Sequence, residues 1–477
     1  MIFALLAALV ALAPLQDEPP DVPSSDEKPA PPPPSKKKPP PASPALKKPP
    51  AAVPVAPFKS QAQADEAPAD EAEAPADSYT PPPAPPAASG GGLSINGYVD
   101  LGFARARGDG TSFAPNDFRI PADYGVDAFA PAVNSRGDVA STDSSGRFTN
   151  GFLPRSLGIG PSASFFVSTV DLDVKYQPGT APVLLFTRLQ VLPRFTAGTD
   201  TRLVVEQAFV RVQPLSSQEL ALFAGKFDPV FGIEYLENEA NLRSGITPSL
   251  IARYTTGQEL GLKAFYRFQL PAIWSALSAN AAATNGSSLI ESLQPADTSL
   301  TGGPVLSGRL GYELNLPSLQ VKLGASGMFG PRNDQHLRGV QQSAWGFDVR
   351  ATVGQFSVAA ELVHVAQDPG DADKVDGLGA QLAVSGFAAR GGYLIASFAQ
   401  PLDLGALHKL ILYGRYGRRY AQFEAYTPIA VDRFTFGLRV DLWDSLAVKG
   451  ELLINRELFG APQVDNDVLT SSLVYSW

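Results

Sequence analysis

Asp467-Val-Leu-Thr-Ser-Ser-Leu-Val-Tyr-Ser-Trp477 closes the chain with alternating apolar and polar side chains. One parity is apolar or aromatic and the other is small and polar: Leu469, Leu473, Tyr475 and Trp477 against Thr470, Ser472 and Ser476. A period of two is typical of a β-strand with two unlike faces. Two settings fit such a strand. Its apolar face could cover the core of a soluble β domain, or it could contact lipid while the polar face lines a water-filled lumen.

Composition narrows the classes of protein that remain. The chain has 477 residues with 18% charged, three His and no Cys. The lack of Cys argues against a disulfide framework, a thiolate metal site and a Cys nucleophile. A formal net charge of -9 argues against a nucleic-acid-binding protein. No apolar run reaches the length of about 18 residues that a membrane helix needs, whereas a barrel fits because alternation keeps the mean hydropathy near zero.

Residues 1–16 predict a signal peptide. Met1 to Ala13 is an apolar segment of signal-peptide length, and Ala11 and Ala13 are small residues at the cleavage spacing. No basic residue precedes this segment, and Pro14 directly follows the expected cut, so the cleavage position stays open. With no Cys in this region, the sequence predicts no lipid-anchored lipoprotein.

Residues 17–92 predict a disordered periplasmic linker rich in Pro, Ala and Lys. Residues 1–92 hold 24 of the 44 prolines, and such a segment cannot bury enough apolar surface to offset its chain entropy. In a polyproline conformation of about 3.1 Å per residue, its roughly 70 residues would extend on the order of 200 Å. Lysines such as Lys36 to Lys38 could contact the anionic cell wall, although a plain solvated linker is the preferred interpretation.

Residues 93–477 predict an all-β fold, a transmembrane antiparallel β-barrel of about 16 strands. Near 257–268, for example, Leu260 and Leu262 alternate with Glu259 and Lys263. The segments near 275–283 and 366–399 alternate least clearly. Predicted connections after even-numbered strands are short, while those after odd-numbered strands run from about eight residues to more than fifty, as in barrels with short periplasmic turns and long outer loops. A soluble all-β protein is the alternative.

Charged residues on the polar parity are candidates for lining the lumen. Facing lipid at the midplane, Arg or Lys would cost about 2 to 4 kcal/mol, so we expect these side chains to point inward. The set comprises Glu259, Lys263, Arg267, Arg309, Glu313, Lys322, Asp348, Arg350, Glu361, Arg415, Arg439, Asp441, Lys449 and Glu451. Its mixed signs are typical of a water-filled channel, since a 16-stranded interior is too wide for side chains to fill.

The aromatic end of the closing strand resembles the last strand of bacterial outer-membrane β-barrels. The resemblance implies contact with outer-membrane lipid and recognition of Tyr475 and Trp477 by the barrel-assembly machinery. Closure would require residues 467–477 to pair with residues 93–106, because a barrel leaves no edge unpaired. We therefore predict a ladder between these two segments, with both aromatic residues in the periplasmic girdle.

A second resemblance concerns Gly225-Lys-Phe-Asp-Pro-Val-Phe-Gly-Ile-Glu234, Asn241-Leu-Arg-Ser244 and Gly257-Gln-Glu-Leu-Gly-Leu-Lys-Ala-Phe-Tyr266. This pattern is similar to Gram-negative outer-membrane porins of the OmpL-like and phosphate-selective groups. The resemblance implies that the third outer loop, about 229–256, folds inward as a constriction. The residues it would place there are Glu234, Glu237, Glu239, Arg243 and Arg253. Porins of this size are commonly homotrimers, and no Lys ladder of the density expected for phosphate selectivity is present.

Two functions remain open at this point. One is a porin that forms a diffusion channel for small hydrophilic solutes or ions, and the other is a wall-tethered structural protein whose barrel mainly serves as an anchor. An enzyme is not expected, because His336, His364 and His408 share no spacing that suggests a metal site or a catalytic triad. The sequence likewise predicts no cofactor and no bound metal.

Overall fold

The computed structural model describes residues 92–477 with the exception of 107–138, 143–147, 154–162, 180, 193–201, 216–218, 238, 256–258, 271–272, 286–302, 332–339, 370–385, 424–425 and 460–466. The predicted signal peptide and all of the predicted linker but Gly92 lie outside the described residues. The predictions for those segments therefore stay predictions.

Strands dominate the described part of the chain. They are β1 (Gly92–Ala106), β2 (Val139–Thr142), β3 (Phe148–Leu153), β4 (Ala163–Gln177), β5 (Val183–Leu192), β6 (Arg202–Val212), β7 (Leu220–Phe227), β8 (Glu259–Leu270), β9 (Ser275–Thr284), β10 (Val305–Leu316), β11 (Leu319–Pro331), β12 (Gln341–Val353), β13 (Phe356–Gln367), β14 (Phe387–Leu404), β15 (Leu407–Phe423), β16 (Tyr426–Leu442), β17 (Leu446–Phe459) and β18 (Val468–Ser476). A 3-10 turn (Glu234–Glu237) and a short helix α1 (Ala252–Thr255) lie between β7 and β8. Among the described residues, no helix has the length and apolar character needed to cross a membrane.

Sixteen of these strands form one closed antiparallel barrel, and β2 and β3 form a separate hairpin. Each barrel strand pairs with its neighbours in chain order, and β1 closes the ring on β18. The closing register runs from Tyr98 opposite Ser476 to Ala106 opposite Val468. The predictions of a 16-stranded barrel and of a ladder between its first and last strands are confirmed.

The two faces of the barrel carry opposite chemistry. On β8, Leu262 is 64% exposed on the outer face, whereas the neighbouring Lys263 points inward and is 5% exposed. Leu310, at 68% exposed, shows the same outward pattern on β10. An apolar surface that continues around a whole barrel is unfavourable in water and suited to lipid. This sidedness argues against the soluble alternative.

The predicted loop lengths are wrong at one connection. The sequence pattern suggests strands near 408–418 and 433–442 with a long outer loop between them, but β15 and β16 are separated only by residues 424–425. Pairing continues through Arg418 opposite Asp432 to Phe423 opposite Tyr426. A strand that rises above the apolar band can have polar residues on both faces, so apolar alternation fades while the backbone ladder continues.

Candidate functional site

The connection from β7 to β8 enters the barrel. We call residues 228–255 the inner loop. Arg415 on β15 donates from Nη2 to the carbonyl oxygens of Thr247 (2.7 Å) and Pro248 (3.1 Å). Arg439 on β16 donates from Nη1 to the carbonyl oxygen of Asn241 at 2.9 Å. Both arginines lie on the polar parity of their strands, so these contacts place the loop within the ring of strands.

Lys449 on β17 holds three carbonyl groups of the inner loop. Its Nζ donates to the carbonyl oxygens of Arg243 (2.7 Å), Gly245 (3.1 Å) and Ala240. Arg439 also donates to the Arg243 carbonyl oxygen, at 3.0 Å. Lys449 is 2% exposed, and a buried ammonium is tolerated only when its donors are satisfied. Three carbonyl acceptors provide that satisfaction and fix this part of the loop.

Two wall carboxylates bind backbone N–H groups of the loop. Glu361 on β13 accepts from the Ile233 N–H at 2.9 Å. Glu451 on β17 accepts from the Ile246 N–H at Oε1 (2.8 Å) and from the Thr247 N–H at Oε2 (2.9 Å). A loop inside a barrel has no sheet partner for its own N–H groups, and buried N–H groups need an acceptor. The wall side chains therefore take the place of a ladder.

Two glycines allow this close approach. Gly232 has a φ of 79°, and a Cβ there would collide with the Glu361 carboxylate. A Cβ on Gly245 would collide with Oε1 of Glu451 and with the Tyr413 hydroxyl. Backbone can approach a buried carboxylate this closely only where no side chain intervenes. Both positions were part of, or next to, the segments that carry the porin resemblance.

The inner loop also contributes acidic side chains of its own. Glu237 forms an ion pair with Arg350 on β12. Glu239 accepts a hydrogen bond from the Tyr98 hydroxyl on β1 at 2.8 Å and pairs with Arg188 on β5. These two loop residues therefore reach walls on different sides of the ring. They connect strands that are not neighbours in the sheet.

Glu234 stabilises the loop internally. Its carboxylate accepts from the Ser249 N–H at 2.6 Å and from the Ser249 hydroxyl at 2.5 Å, which joins the two arms of the loop. Burial raises the pKa of Glu234, while Arg415 and the bonds from Ser249 act in the opposite direction. The side chain is a brace between loop segments rather than a group open to the lumen.

Acidic residues concentrate where the loop meets β4, β5 and β6. One carboxylate oxygen from each of Asp171, Glu206 and Glu239 lies within 4.8 Å of the others, and all three side chains are buried. Arg188 lies beside them, with its Nε 2.6 Å from Asp173 and 3.9 Å from Glu206. Burial raises the pKa of Glu239 well above its ordinary value, Glu206 raises it further, and Arg188 lowers it. Arg188 supplies the positive charge in this cluster.

Apolar packing completes the attachment of the inner loop. Phe231, Ile251 and Tyr254 pack against inward-facing side chains of six strands: Val305, Met328, Ala344, Val363, Val365, Ala389 and Ala421. The wall residues in this group are mostly small or branched, and they accommodate the larger loop side chains. Burial of this kind contributes about 1.5 to 3 kcal/mol per large side chain.

Charged wall residues pair with one another elsewhere in the interior. Arg309 binds Asp348 two strands away, with Nη2 2.6 Å from Oδ1. Arg267 and Glu313 approach to 2.5 Å across β9. Arg439 also pairs with Asp441 on its own strand at 2.6 Å. These charges lie inside the ring on the parity that the sequence indicates.

A cluster of phenylalanines lines the inner face of β5 to β8. Ring centroids of Phe186 and Phe209 are 5.1 Å apart, and those of Phe209 and Phe223 are 5.5 Å apart. The Lys263 ammonium lies 4.8 Å from the Phe223 ring centroid and 4.7 Å from that of Phe227. Cations over ring faces are stabilised by the ring quadrupole. Strand periodicity gives no hint of this aromatic interior, because an inward Phe interrupts the polar parity.

The structure brings together only part of the predicted constriction set. Glu237 and Glu239 contact opposite walls, Glu234 bonds within the loop, and Arg243 takes part through its carbonyl oxygen. The Arg253 side chain lies outside the described residues. Sequence reasoning left out Tyr98, Arg188 and Glu206 from the candidate set, although the inward parity of β1, β5 and β6 could have indicated them.

Comparison with known proteins gives no family for this chain. No protein-family model matches it, and no curated protein matches it significantly.

Solved structures with some likeness to the chain are outer-membrane proteins. The outer membrane channel DcaP of Acinetobacter baumannii has a TM-score of 0.47 at 11% identity, covering 81% of this chain and 98% of that one. OmpT of Vibrio cholerae has a TM-score of 0.45 at 9% identity, covering 82% and 99%. An anion-selective porin from Comamonas acidovorans has a TM-score of 0.45 at 10% identity, covering 81% and 100%. Likeness this distant decides nothing about activity, and the barrel is established by the chain's own strand pairing.

Proposed function

We propose that this protein is a non-enzymatic outer-membrane channel for small hydrophilic solutes or ions, narrowed by the inner loop. The observation that carries the proposal is the attachment of that loop to opposite sides of the ring, to Glu361 on β13 and to Arg188 on β5, with Lys449 on β17 between them. Sixteen strands enclose a space too wide for wall side chains to fill, so a loop held across it controls the remaining opening. The apolar outer face supports placement in a membrane.

The proposed constriction comprises Glu237, Glu239 and the Arg243 region, where the loop meets walls on both sides. Mixed charges at a narrow opening favour hydrated solutes and reject apolar ones. Neutralising Glu237, Glu239 or Arg243 one at a time and measuring reversal potentials would assign ion preference. A charge change that leaves the reversal potential unaltered removes that residue from the constriction.

The second candidate is a wall-tethered structural protein whose barrel mainly serves as an anchor. The dense interior favours it, because Lys449 and Glu451 are 2% and 1% exposed beneath the inner loop. The two functions differ in conductance. A channel passes ions whether or not residues 17–89 are present, whereas an anchor passes none.

The deciding experiment is single-channel recording of the purified full-length protein in planar bilayers. We expect stable conductance steps that persist after deletion of residues 17–89. A barrel that is folded, as judged by heat-modifiable electrophoretic mobility, yet gives no steps would overturn the channel and favour the anchor.

Finer assignments extend this proposal. Residues 1–16 would direct export, residues 17–92 would cross the periplasm, and Tyr475 and Trp477 would be recognised by the barrel-assembly machinery. Membership of the OmpL-like or phosphate-selective porins rests on the motif within residues 225–266. A homotrimer would be tested by sizing the protein in mild detergent.

A further inference from the structure

Three arginines lie on the outer face of the barrel near one end. Arg390 is directly opposite Tyr420, and Arg418 is opposite Gly392 on β14 and Asp432 on β16. Arg456 on β17 is opposite Asp432, so Arg418, Asp432 and Arg456 lie side by side across β15, β16 and β17. Residues directly opposite in a ladder share a face. The residues level with these arginines on β12 have exposed side chains that point outward.

The outward direction follows from those rows. Arg390 is level with His364 and Trp345, and Arg418 is level with Leu362 and Phe347. Trp345 and Phe347 are 51% and 54% exposed on the apolar face. The three arginines therefore project toward the surroundings of the barrel and not into its lumen.

These guanidinium groups have too few acidic partners. Arg418 has its Nε 3.6 Å from Asp432, which is the one acidic side chain among the described outward-facing residues in the outer halves of β13 to β17. Arg390 lies over the Tyr420 ring at 4.9 Å, and Arg456 lies over the Phe434 ring at 5.6 Å. Within the described part of the chain, neither Arg390 nor Arg456 forms an ion pair. Three positive charges thus face one negative charge.

The depth of the patch matches the edge of the apolar band. Arg418 is 11 residues along β15 from Leu407, and Arg456 is 10 residues along β17 from Leu446. With a rise of about 3.4 Å per residue and a tilt of about 40°, these steps reach roughly 26 to 29 Å from the inner end, compared with an apolar band about 25 Å tall. At that depth a lipid headgroup, not an acyl chain, lies beside the arginines.

We propose that Arg390, Arg418 and Arg456 form a binding site for the phosphate groups of an anionic lipid headgroup in the outer leaflet. The planar guanidinium fork matches two phosphate oxygens, and stacking on Tyr420 and Phe434 orients two of the three forks. Arg390 and Arg418 are diagonal neighbours, with a spacing of about 7 to 8 Å that suits a headgroup bearing more than one phosphate. The inference rests on the proposed membrane placement.

The opposite end of the outer face has a different character. Exposed residues there include Trp274, Trp443 and Trp477 among aliphatic side chains such as Leu404. The outer face therefore presents the three arginines at the end of the long connections, beside Trp345, and three of the four tryptophans at the end of the short turns. An anionic leaflet on one side only would produce this asymmetry.

The experiment uses the full-length protein in a neutral detergent, with binding followed by native mass spectrometry. The probes are diphosphorylated lipid A, the same lipid after removal of both phosphates, and inorganic phosphate as competitor. The variant carries R390Q, R418Q and R456Q together. The matched control is R105Q, which removes another exposed outward arginine near the same end of β1.

We expect the triple variant to bind diphosphorylated lipid at least about tenfold more weakly, since one hydrogen bond to a charged group corresponds to roughly a factor of ten. R105Q should bind like the unmodified protein, and dephosphorylated lipid should bind weakly to all three. Equal binding of both lipids, or unchanged affinity of the triple variant, would overturn the site. Full displacement by millimolar inorganic phosphate would replace the lipid site with a plain anion site. Conductance of the triple variant is measured separately, so loss of the channel proposal and loss of the lipid site are distinguishable.

Discussion

Individual side chains inside this barrel act as substitutes for missing secondary structure. The inner loop has no strand partner, and its N–H and carbonyl groups bind charged wall residues such as Glu451 and Lys449. An unsatisfied buried backbone group costs about 1 to 3 kcal/mol, so each wall side chain stabilises the loop group that it binds. The loop group in turn satisfies the buried polar side chain. Removing one partner leaves the other buried and unpaired.

Gly245→Ala tests how tightly the loop fits. The added methyl group would collide with Glu451 and Tyr413, and overpacking of this kind costs about 1 to 3 kcal/mol. We expect the loop to detach in part and single-channel current to become larger and noisier. Gly327→Ala is the matched control, since a Cβ at Gly327 meets nothing within 4 Å. Identical recordings from the two variants would show that the Gly245 contact does not hold the loop.

The acidic cluster predicts a dependence on pH. Burial, with help from Glu206, raises the pKa of Glu239 above its usual value of about 4.3. If the pKa of Glu239 is higher in the attached loop than in the detached loop, Glu239 favours attachment at low pH. This contribution is lost as pH rises through the raised pKa. Conductance should therefore increase with pH, and Glu239→Gln should flatten the dependence. A steeper response in that variant would contradict the role of Glu239.

The strands of this chain are recognisable in the sequence by side chains that alternate between apolar and polar with a period of two residues. Lipid favours apolar side chains on every second position, and the enclosed interior accepts polar ones between them. This rule predicted β8 and β18 from local sequence. It failed at the outer ends of β15 and β16, where water on both faces no longer selects between parities and only the backbone ladder continues.

Leu310→Arg measures the lipid contact of one strand. Leu310 is 68% exposed near the middle of β10, where a cation facing lipid costs about 2 to 4 kcal/mol. Leu316→Arg lies at the inner end of the same strand, where the cost should fall to roughly 0 to 1 kcal/mol. Reversible unfolding by guanidinium in lipid vesicles gives both values. Equal losses of free energy of unfolding at the two positions would mean that the outer face does not contact lipid as proposed.

The molecule combines a wall built from near neighbours with a loop held by distant ones. Every barrel ladder joins consecutive barrel strands except the closing pair of β1 and β18, and the separate β2–β3 hairpin is inserted between β1 and its partner β4. The loop contacts instead join residues far apart, such as Tyr98 with Glu239, which are 141 positions apart in the chain. The wall should therefore form without the loop, while the loop cannot take its position before the wall closes.

Replacement of residues 233–251 by a short Gly-Ser linker tests this separation. The ladders do not depend on those residues, so we expect the barrel to keep its heat-modifiable mobility on gels. Conductance should rise several-fold, to about that of an open 16-stranded lumen. A folded replacement variant with unaltered conductance would mean that the inner loop does not narrow the pore.

The sequence by itself determined the 16-stranded closed barrel, the parity of its faces and the inward charges, because each follows from local alternation and from the requirement that no edge stay unpaired in lipid. The inward course of the inner loop was expected only from the resemblance to porins, not from alternation. Only the tertiary structure decided which charges meet, as with Arg188 and Glu239 or Lys449 and the Arg243 carbonyl oxygen. Those contacts depend on how a loop crosses a closed ring, and a two-residue period contains no information about partners on the far wall.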